Sequence, residues 1–459
     1  MRNQVAHPVV PGELLDVWFD GQCVGQLERR SEAVTDIVFR YAPAWIDAQG
    51  SFPISITMPL AAVEHDPVVV YPWFLNLLPE GGALQAVGNI LQVHEMDVFG
   101  MLAEMGRDLP GALDIRRPGT DTKAFRPHYH RLSEAELADA LRRLPERPLL
   151  VGEDGVHMSV AGAQEKLPVV RYRDGGIGLA LDGAPSTHIL KPRNDRFRAS
   201  VENEAFCLRL AAAVGLPAAK VTMQRAEDVD YLLVERYDRI IQGGRVQRLH
   251  QEDLCQATGF PPYLKYEWNA SIAKHGPGLK LCMDALAGTP APAPNKLRFF
   301  EAMLFNVLCG NVDAHAKNYS LLIRSGSALM APIYDVMNGD IYENVTRNLA
   351  MKIANKQRGG HIYARHWNRF AEENGLSASG VRRRVAELSQ TTLNALPGVI
   401  AEMESSNMPS PVYREIAGYV AAYCRNMLGN LKQDPGPGAA DADDETPPAE
   451  PTGVIGISP

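Results

Sequence analysis

Residues 305–322 read FNVLCGNVDAHAKNYSLL. An apolar run gives way to Asn311, Asp313, His315, Lys317 and Asn318 inside eight positions, and the chain then turns apolar again. Connecting segments are polar wherever water reaches them, so crowding alone says little. The spacing says more. Asn318 follows Asp313 by five residues, and a carboxylate and a carboxamide on one loop can serve as a proton acceptor and as an oxygen ligand for a hard cation. Past Asn318, YSLLIRSGSALMAPIYD forms an apparent hairpin through Ser325 and Gly326 and delivers a second carboxylate, Asp335, at its end.

Around this stretch lie 459 residues, more than one core usually supports, so two or three domains are expected. Hydrophobic residues make up 46% and charged residues 22%, ordinary for a soluble globular protein. No apolar run approaches the roughly 20 residues of a membrane helix, and the N-terminus MRNQVAHPVVPGELLDV lacks a signal-peptide core. A cytoplasmic location without membrane contact is therefore expected. Cys23, Cys207, Cys255, Cys282, Cys309 and Cys424 show no C-x-x-C pair or metal-ligand spacing and read as small core residues. Cys309, close to the polar loop, could be taken for a nucleophile, but a buried structural thiol is the commoner case. The formal charge is −8, and residues 433–459 hold Asp434, Asp441, Asp443, Asp444, Glu445 and Glu450 with no Lys or Arg. With that tail set aside the body is close to neutral, which gives no sign of direct nucleic-acid binding.

The first segment reads as a small sheet: ELLDVWFDGQCVGQLER is two alternating runs around an Asp-Gly turn, and AVTDIVFRYA is a third strand. In YPWFLNLLPEGGALQAVGNIL, Pro79 and Glu80 open an amphipathic helix; DVFGMLAEMGRDLPGAL is helical up to Gly106. RRPGTDTKAFRPHYHRLS reads as a linker, and SEAELADALRRL as a helix capped by Ser133. From about 155 strands dominate, with a hairpin turning at Asp174–Gly176, the short strand STHILKP, and two strands in KVTMQRAEDVDYLLVERYDRI. ENEAFCLRLAAAVGL is a helix with Phe206, Leu210 and Val214 on one face, closed by Gly215. From about 250 the chain reads as mainly helical apart from a strand pair at 319–334, with an Ala/Pro connector at 287–296. The tail cannot bury enough apolar surface to order. A β-rich half with one helix followed by a helical half is the layout of an α+β, bilobal protein-kinase-like fold. The expected domains are an N-terminal subdomain over 1–125, a kinase N-lobe over 126–240, a helical C-lobe over 241–432 and the tail over 433–459.

Phosphoryl transfer needs a group on the acceptor hydroxyl, oxygen ligands for Mg²⁺, a cation on the ATP phosphates and backbone donors over them. The interval from Asp313 to Asn318 is that between base and metal-binding Asn in the kinase loop H-R-D-x-x-x-x-N, and Asp335 arrives as the metal-binding Asp of a DFG segment does. Asp is also a common helix and turn cap, so the pattern rests on the three together. Lys191 ends the strand HILKP as the β3 lysine ends V-A-I-K, although a lone strand-end Lys is usually a solvated charge. Glu202 or Glu204 could hold it, or could simply favour a helix N-terminus. SVAGAQEK, residues 159–166, is a candidate phosphate loop that lacks G-x-G-x-x-G, and a plain tight turn fits it equally well. LLVERYDR, residues 232–239, would be the hinge, its backbone around Glu235, Arg236 and Tyr237 facing adenine; an ordinary strand with ion pairs is the alternative.

NLLPEG, EMGRDLPGAL, SVAGAQEK, THILKP, ENEAFCLRLA, LLVERYDR, RLHQEDLCQATGF, KYE, GNVDAHAKNYSLL and PIYD occur in this order between about 14 and 430. So matched, the chain resembles the HipA family, the serine/threonine kinase toxins of bacterial HipBA toxin–antitoxin modules. The resemblance implies that Asp313 is the catalytic base and that Asn318 and Asp335 hold Mg²⁺. It implies that Lys191 meets the ATP phosphates and that Ala161, Gly162, Ala163, Gln164, Glu165 and Lys166 form the nucleotide loop. Glu235, Arg236 and Tyr237 would be the hinge, and His315, Ala316, Lys317 and Asn318 would line the ATP site. Ser159 would correspond to the serine whose autophosphorylation ejects the loop in that family. Implied partners are a HipB-like helix-turn-helix antitoxin, operator DNA through the antitoxin complex only, and a protein substrate such as an aminoacyl-tRNA synthetase, glutamyl-tRNA synthetase first. The implied outcome is growth arrest or persistence. The acidic tail and variable loops depart from the family, which leaves the substrate and the antitoxin contacts open. A related kinase acting on a small molecule, or an idle corepressor, are the alternatives; the intact Asp313, Asn318, Asp335 and Lys191 argue against the latter.

Overall fold

The computed structural model describes residues 9–120 and 127–433. All of the acidic tail but Gln433, and residues 121–126 of the expected linker, lie outside them. The chain forms two compact units, one from Met1–Arg193, Gln224–Tyr263 and Ser320–Leu329, the other from Asn194–Met223, Leu264–Tyr319 and Met330–Pro459. Among the described residues no helix is long and apolar enough to cross a membrane.

The first unit begins with a five-stranded sheet in the order Glu64–His65, Ile37–Tyr41, Gln22–Arg29, Leu14–Phe19, Asp114–Arg116. Leu14–Phe19 and Gln22–Arg29 meet through Asp20 and Gly21, both at positive φ (45° and 80°), as a two-residue Asp-Gly hairpin requires. Helices Gly81–Leu91 and Val98–Met105 fall where the pattern put them, the latter capped by the Asp97 side chain on the Gly100 N–H. Helix Pro67–Leu75 was not expected from the sequence, because Pro72 lies inside it. The ring costs one intrahelical bond, which burial of Trp73, Phe74 and Leu75 offsets.

A second sheet of six strands follows, in the order Val221–Ala226, Val229–Glu235, His188–Pro192, Leu167–Arg171, Ile177–Leu181, His128–Arg131. The last strand corrects the linker reading: His128–Arg131 pairs antiparallel with Ile177–Leu181, although all four of its residues are exposed and show no apolar alternation. Helix Glu134–Arg143 opens on a capping box between Ser133 and Glu136 and lays Leu137, Ala138 and Leu141 against Leu167, Val169, Leu190 and Leu233. Strand His250–Asp253 pairs with Ser320–Arg324, which pairs with Ser327–Met330. Strand His250–Asp253, and the short pair Trp268–Asn269 and Lys274–His275, add to the one strand pair expected at 319–334 in a stretch that is otherwise mainly helical.

The second unit is built on helices Ser200–Ala213, Pro292–Cys309, Ala378–Glu404 and Val412–Asn430. Pro292–Cys309 starts inside the expected Ala/Pro connector, since Pro292 and Pro294 stand in a first turn whose N–H groups have no helical acceptor anyway. Ser200–Ala213 is buried almost all round rather than on one face: Glu202, Asn203 and Glu204 are enclosed along with Phe206 and Leu210. Phe206 stacks on Tyr413 at 5.9 Å, and Phe300, Trp367 and Phe370 pack on one another.

Candidate active site

In the second unit the polar loop is not wet. Asn311, Asp313, His315, Lys317 and Asn318 are all buried, so each polar group needs a partner. The loop starts where helix Pro292–Cys309 stops at Gly310, whose φ of 68° is left-handed. A Cβ there would stand 2.6 Å from Asp340 Oδ2 and 2.8 Å from Asn338 Nδ2, so only glycine both turns the chain and fits. Gly339 donates its N–H to the Gly310 carbonyl at 2.9 Å, and Asn338 Nδ2 donates to the Cys309 carbonyl at 2.7 Å.

Asn311 then organises the turn. Its Nδ2 donates to Asn306 Oδ1 at 2.8 Å and to the Asp335 carbonyl at 3.5 Å, while its Oδ1 accepts the Asp313 N–H at 3.1 Å. The Asp313 carbonyl accepts the His315 N–H at 2.8 Å and Asn318 Nδ2 at 3.0 Å. The five-residue interval noted in the sequence is thus closed by a hydrogen bond from one end of it to the other. With Nδ2 so occupied, Asn318 has its amide oxygen left as the ligand-capable atom. The Asp313 carboxylate accepts the Tyr266 phenol O–H at 2.6 Å.

Asp335 reaches the loop by a separate route. Ile333 donates to the Pro217 carbonyl and accepts from the Ala219 N–H, both at 2.8 Å, and the Tyr334 hydroxyl donates to the Lys317 carbonyl at 2.6 Å. Asp335 itself sits at φ 57°, a left-handed conformation that Asp tolerates but rarely adopts without a compensating constraint. Downstream, Asn203 and Asn338 exchange hydrogen bonds at 2.8 and 2.9 Å and latch the segment after Asp335 to helix Ser200–Ala213. Asp313, Asn318 and Asp335 are therefore brought together through Asn311. Asn203, Tyr266, Asn311, Tyr334 and Asn338 were given no role by the sequence; only KYE, among the family motifs, pointed at Tyr266.

In the first unit Lys191 is buried in the middle of the six-stranded sheet, opposite Leu232. Glu235 stands opposite His188, and the Arg236 N–H donates to the Thr187 carbonyl at 3.0 Å. The Arg236 side chain turns away into a buried ion network: Nε and Nη2 meet Asp238 at 3.0 and 2.8 Å, and Nη1 approaches Asp108 at 3.5 Å. Arg239 Nη2 joins Asp108 at 2.9 Å. Burial opposes ionisation of Asp108, but Arg236, Arg239 and Arg248 outweigh it and hold its carboxyl well below the usual range. The N–H and the guanidinium of Arg236 are thus both engaged within the protein.

The candidate phosphate loop is pinned at its start and at Gly162. Ser159 is fully buried, donates its Oγ–H to the Leu77 carbonyl at 2.8 Å and its N–H to the Asp108 carbonyl at 3.2 Å. The Gly162 carbonyl accepts the Glu80 N–H at 3.3 Å. Gly162 has φ 102°, and Lys166 Nζ folds back to the Ala161 carbonyl at 2.6 Å, just where a Cβ on Gly162 would lie.

Residues 15–116 match the model of the HipA N-terminal domain, and residues 158–396 that of the HipA-like C-terminal domain. "Putative kinase Y4mE" of Sinorhizobium fredii is 37% identical over 89% of this chain and 97% of its own length. The serine/threonine-protein kinase toxin HipA of Shewanella oneidensis is 29% identical over 89% of this chain and 93% of its own. Among solved structures, HipA in the Shewanella oneidensis complex of HipA, HipB and operator DNA superposes with a TM-score of 0.75 at 27% identity, covering 91% of this chain and 96% of that one. The mixed architecture described above is accordingly a protein-kinase-like fold.

Proposed function

Because the chain belongs to the HipA family, with the N- and C-terminal family domains in order along it, we propose that it is an ATP- and Mg²⁺-dependent serine/threonine protein kinase toxin. Kinase activity and a place in the toxin–antitoxin class follow from the family; the substrate and the residue roles are the reading offered here. The observation that carries those roles is the loop in which Asn318 Nδ2 bonds the Asp313 carbonyl while the Asp313 carboxylate is held by a donor.

In this reading Asp313 accepts the proton of a serine or threonine hydroxyl. The hydroxyl oxygen bonds to the γ-phosphorus of ATP as the bond from that phosphorus to the β,γ-bridging oxygen breaks, and ADP leaves. Lys191 draws the phosphates by charge, and the N–H groups of Ala161–Lys166 lie over them. His315, Ala316 and Lys317 line the nucleotide. The adenine edge is met by the backbone around Glu235, Arg236 and Tyr237, which the bond from the Arg236 N–H to the Thr187 carbonyl holds at the end of its strand. The amide oxygen of Asn318 and the carboxylate of Asp335, held in a strained left-handed conformation, form an all-oxygen donor pair of the kind a hard cation takes. Bound there, Mg²⁺ would neutralise charge on the phosphates.

Ser159 is the candidate for autophosphorylation. A phosphate adds bulk and about two negative charges, and the Leu77 carbonyl that receives its hydroxyl can only repel them. Modification therefore requires the loop to leave its slot and prevents its return. The proposed partner is a HipB-like helix-turn-helix antitoxin, with operator DNA reached only through it, and the proposed setting is the cytoplasm. The proposed target is a translation component, glutamyl-tRNA synthetase first. Incubation of the purified protein with that synthetase, labelled ATP and Mg²⁺ should label the synthetase and reduce its charging of tRNA. An unlabelled synthetase with unchanged charging removes that target.

A further inference from the structure

We propose that the groove between helices Ala378–Glu404 and Val412–Asn430 is a docking site for this chain's own residues 453–459, GVIGISP, with the acidic tail as the tether that brings them there. The inference does not depend on the residue roles proposed above for phosphoryl transfer. The two helices are joined by residues 405–411 and pack on one another within the second unit, and the groove they leave has a volume of about 490 Å³. From the first helix Leu393, Leu396 and Ile400 supply an apolar wall, at the i, i+3, i+7 spacing of one helix face. From the second come Ala417, Gly418 and Ala421, whose side chains are too short to fill the space. A Cβ on Gly418 would touch nothing within 4 Å. Pro397 adds a polar feature: it has no N–H for the Leu393 carbonyl, the bond a helix interior would otherwise make, and both residues line the groove. The ends are cationic. Arg414 reaches across to Glu404 at 2.6 Å, whereas Arg425 is exposed and makes no ion pair among the described residues.

The chemistry of the tail matches that of the groove. Beyond Gln433 the only large apolar residues are Val454, Ile455 and Ile457, and they follow Asp441, Asp443, Asp444, Glu445 and Glu450. In an extended segment Ile455 and Ile457 face one side about 7 Å apart, close to the roughly 6 Å of helix rise between Leu396 and Ile400. Order along the chain fits as well. Arg425 is the groove residue nearest the end of its helix, so a chain returning from Asn430 passes its carboxylates over Arg425 before its isoleucines reach Gly418. Gly418 stands about 18 Å of helix before Asn430. A coil of 19 residues, the length of 434–452, has a root-mean-square span of roughly 24 Å. A tether whose span suits the gap holds its guest at an effective concentration on the order of millimolar, so a contact too weak to form between separate molecules forms within one.

The test uses the full chain with ¹³C-labelled isoleucine δ1 methyls, as wild type and as Gly418→Trp. Trp is a better helix former than glycine, and its ring occupies the groove from a position where a Cβ meets no neighbour. The methyl resonances of Ile400, Ile455 and Ile457 are identified by their loss in Ile400→Val, Ile455→Val and Ile457→Val. In wild type the Ile455 and Ile457 resonances are expected to be displaced from those of a free GVIGISP peptide and to show nuclear Overhauser contacts to Ile400. In Gly418→Trp they should return to the peptide positions and lose those contacts, while the resonance of the enclosed Ile353 does not move and reports an intact fold. Peptide positions in wild type overturn the inference without recourse to the variant. Displaced resonances that Gly418→Trp leaves unchanged also overturn it, since the segment is then bound elsewhere. Displacement that fades on dilution overturns it too, and gives the groove to the tail of a second copy.

Discussion

At the scale of single residues, chemistry turns on how a buried carboxylate is held. Asp313 is enclosed, and its backbone is fixed by three hydrogen bonds within its own loop. Asp313→Asn is close to isosteric and keeps those three bonds, but cannot accept the acceptor proton. Turnover should drop by about 10²- to 10⁴-fold while nucleotide affinity stays within a few-fold, because the base acts on the acceptor and not on ATP. Equal loss of both, read by steady-state kinetics beside equilibrium binding, would make Asp313 a structural residue. Asp313, Asn318 and Asp335 stand out in the sequence because their spacing is local. The sequence could not show Tyr266, which is 47 residues before Asp313 and touches it only through the fold. The engagement of the Arg236 side chain with Asp108, 128 residues away, was hidden for the same reason.

Elements contribute by forcing those residues into place. Helix Pro292–Cys309 must end where it does, at a left-handed Gly310 pressed against Asn338 and Asp340. Gly310→Ala should cost about 2 kcal/mol or more, from the left-handed backbone together with the contact at 2.6 Å. It should lower turnover by displacing the loop; a denaturation midpoint equal to wild type would contradict this. Strand His250–Asp253 supplies a pH-dependent pair. Burial brings His250 down to about 4, and its Nε2–H donates to the Ile54 carbonyl at 2.8 Å, while burial pushes Glu252 up to about 7 despite donors from Ser55, Ile56 and Trp73. The His250 contribution is complete above its unfolded value of about 6.5 and is lost as pH falls toward 4. The Glu252 contribution is complete below about 4.5 and is lost as pH rises toward 7, so between the two the slopes oppose. His250→Phe removes one of them. Between pH 6.5 and 4 its stability should gain about 3 kcal/mol relative to wild type at the lower pH, measured by urea unfolding. A parallel pair of curves would show that His250 is not the titrating group. Elements with strong local patterns were legible, such as the Asp20–Gly21 hairpin and the Ser133 cap. Strands His128–Arg131 and His250–Asp253 were not, because pairing with Ile177–Leu181 and Ser320–Arg324, and not their own alternation, makes them strands.

Over the whole molecule, the β-rich first unit holds Ala161–Lys166, Lys191 and Glu235–Tyr237, proposed for the nucleotide, and the helical second unit holds His315–Lys317, also proposed for it, with Asp313, Asn318 and Asp335, proposed for transfer. The order of motifs from NLLPEG to PIYD made the family readable from the sequence, since many short matches in one order are far more specific than any one of them. The substrate was not readable, because a serine hydroxyl presented by a protein places the same demand on Asp313 as any other hydroxyl. The most direct measurement is labelling of a bacterial lysate with γ-labelled ATP and Mg²⁺ by the wild-type chain beside Asp313→Asn. The account predicts one or a few labelled proteins, with phosphate on serine or threonine, that appear with wild type and vanish with the variant. Identical labelling by both, or no transfer to any protein including the chain itself, would contradict it.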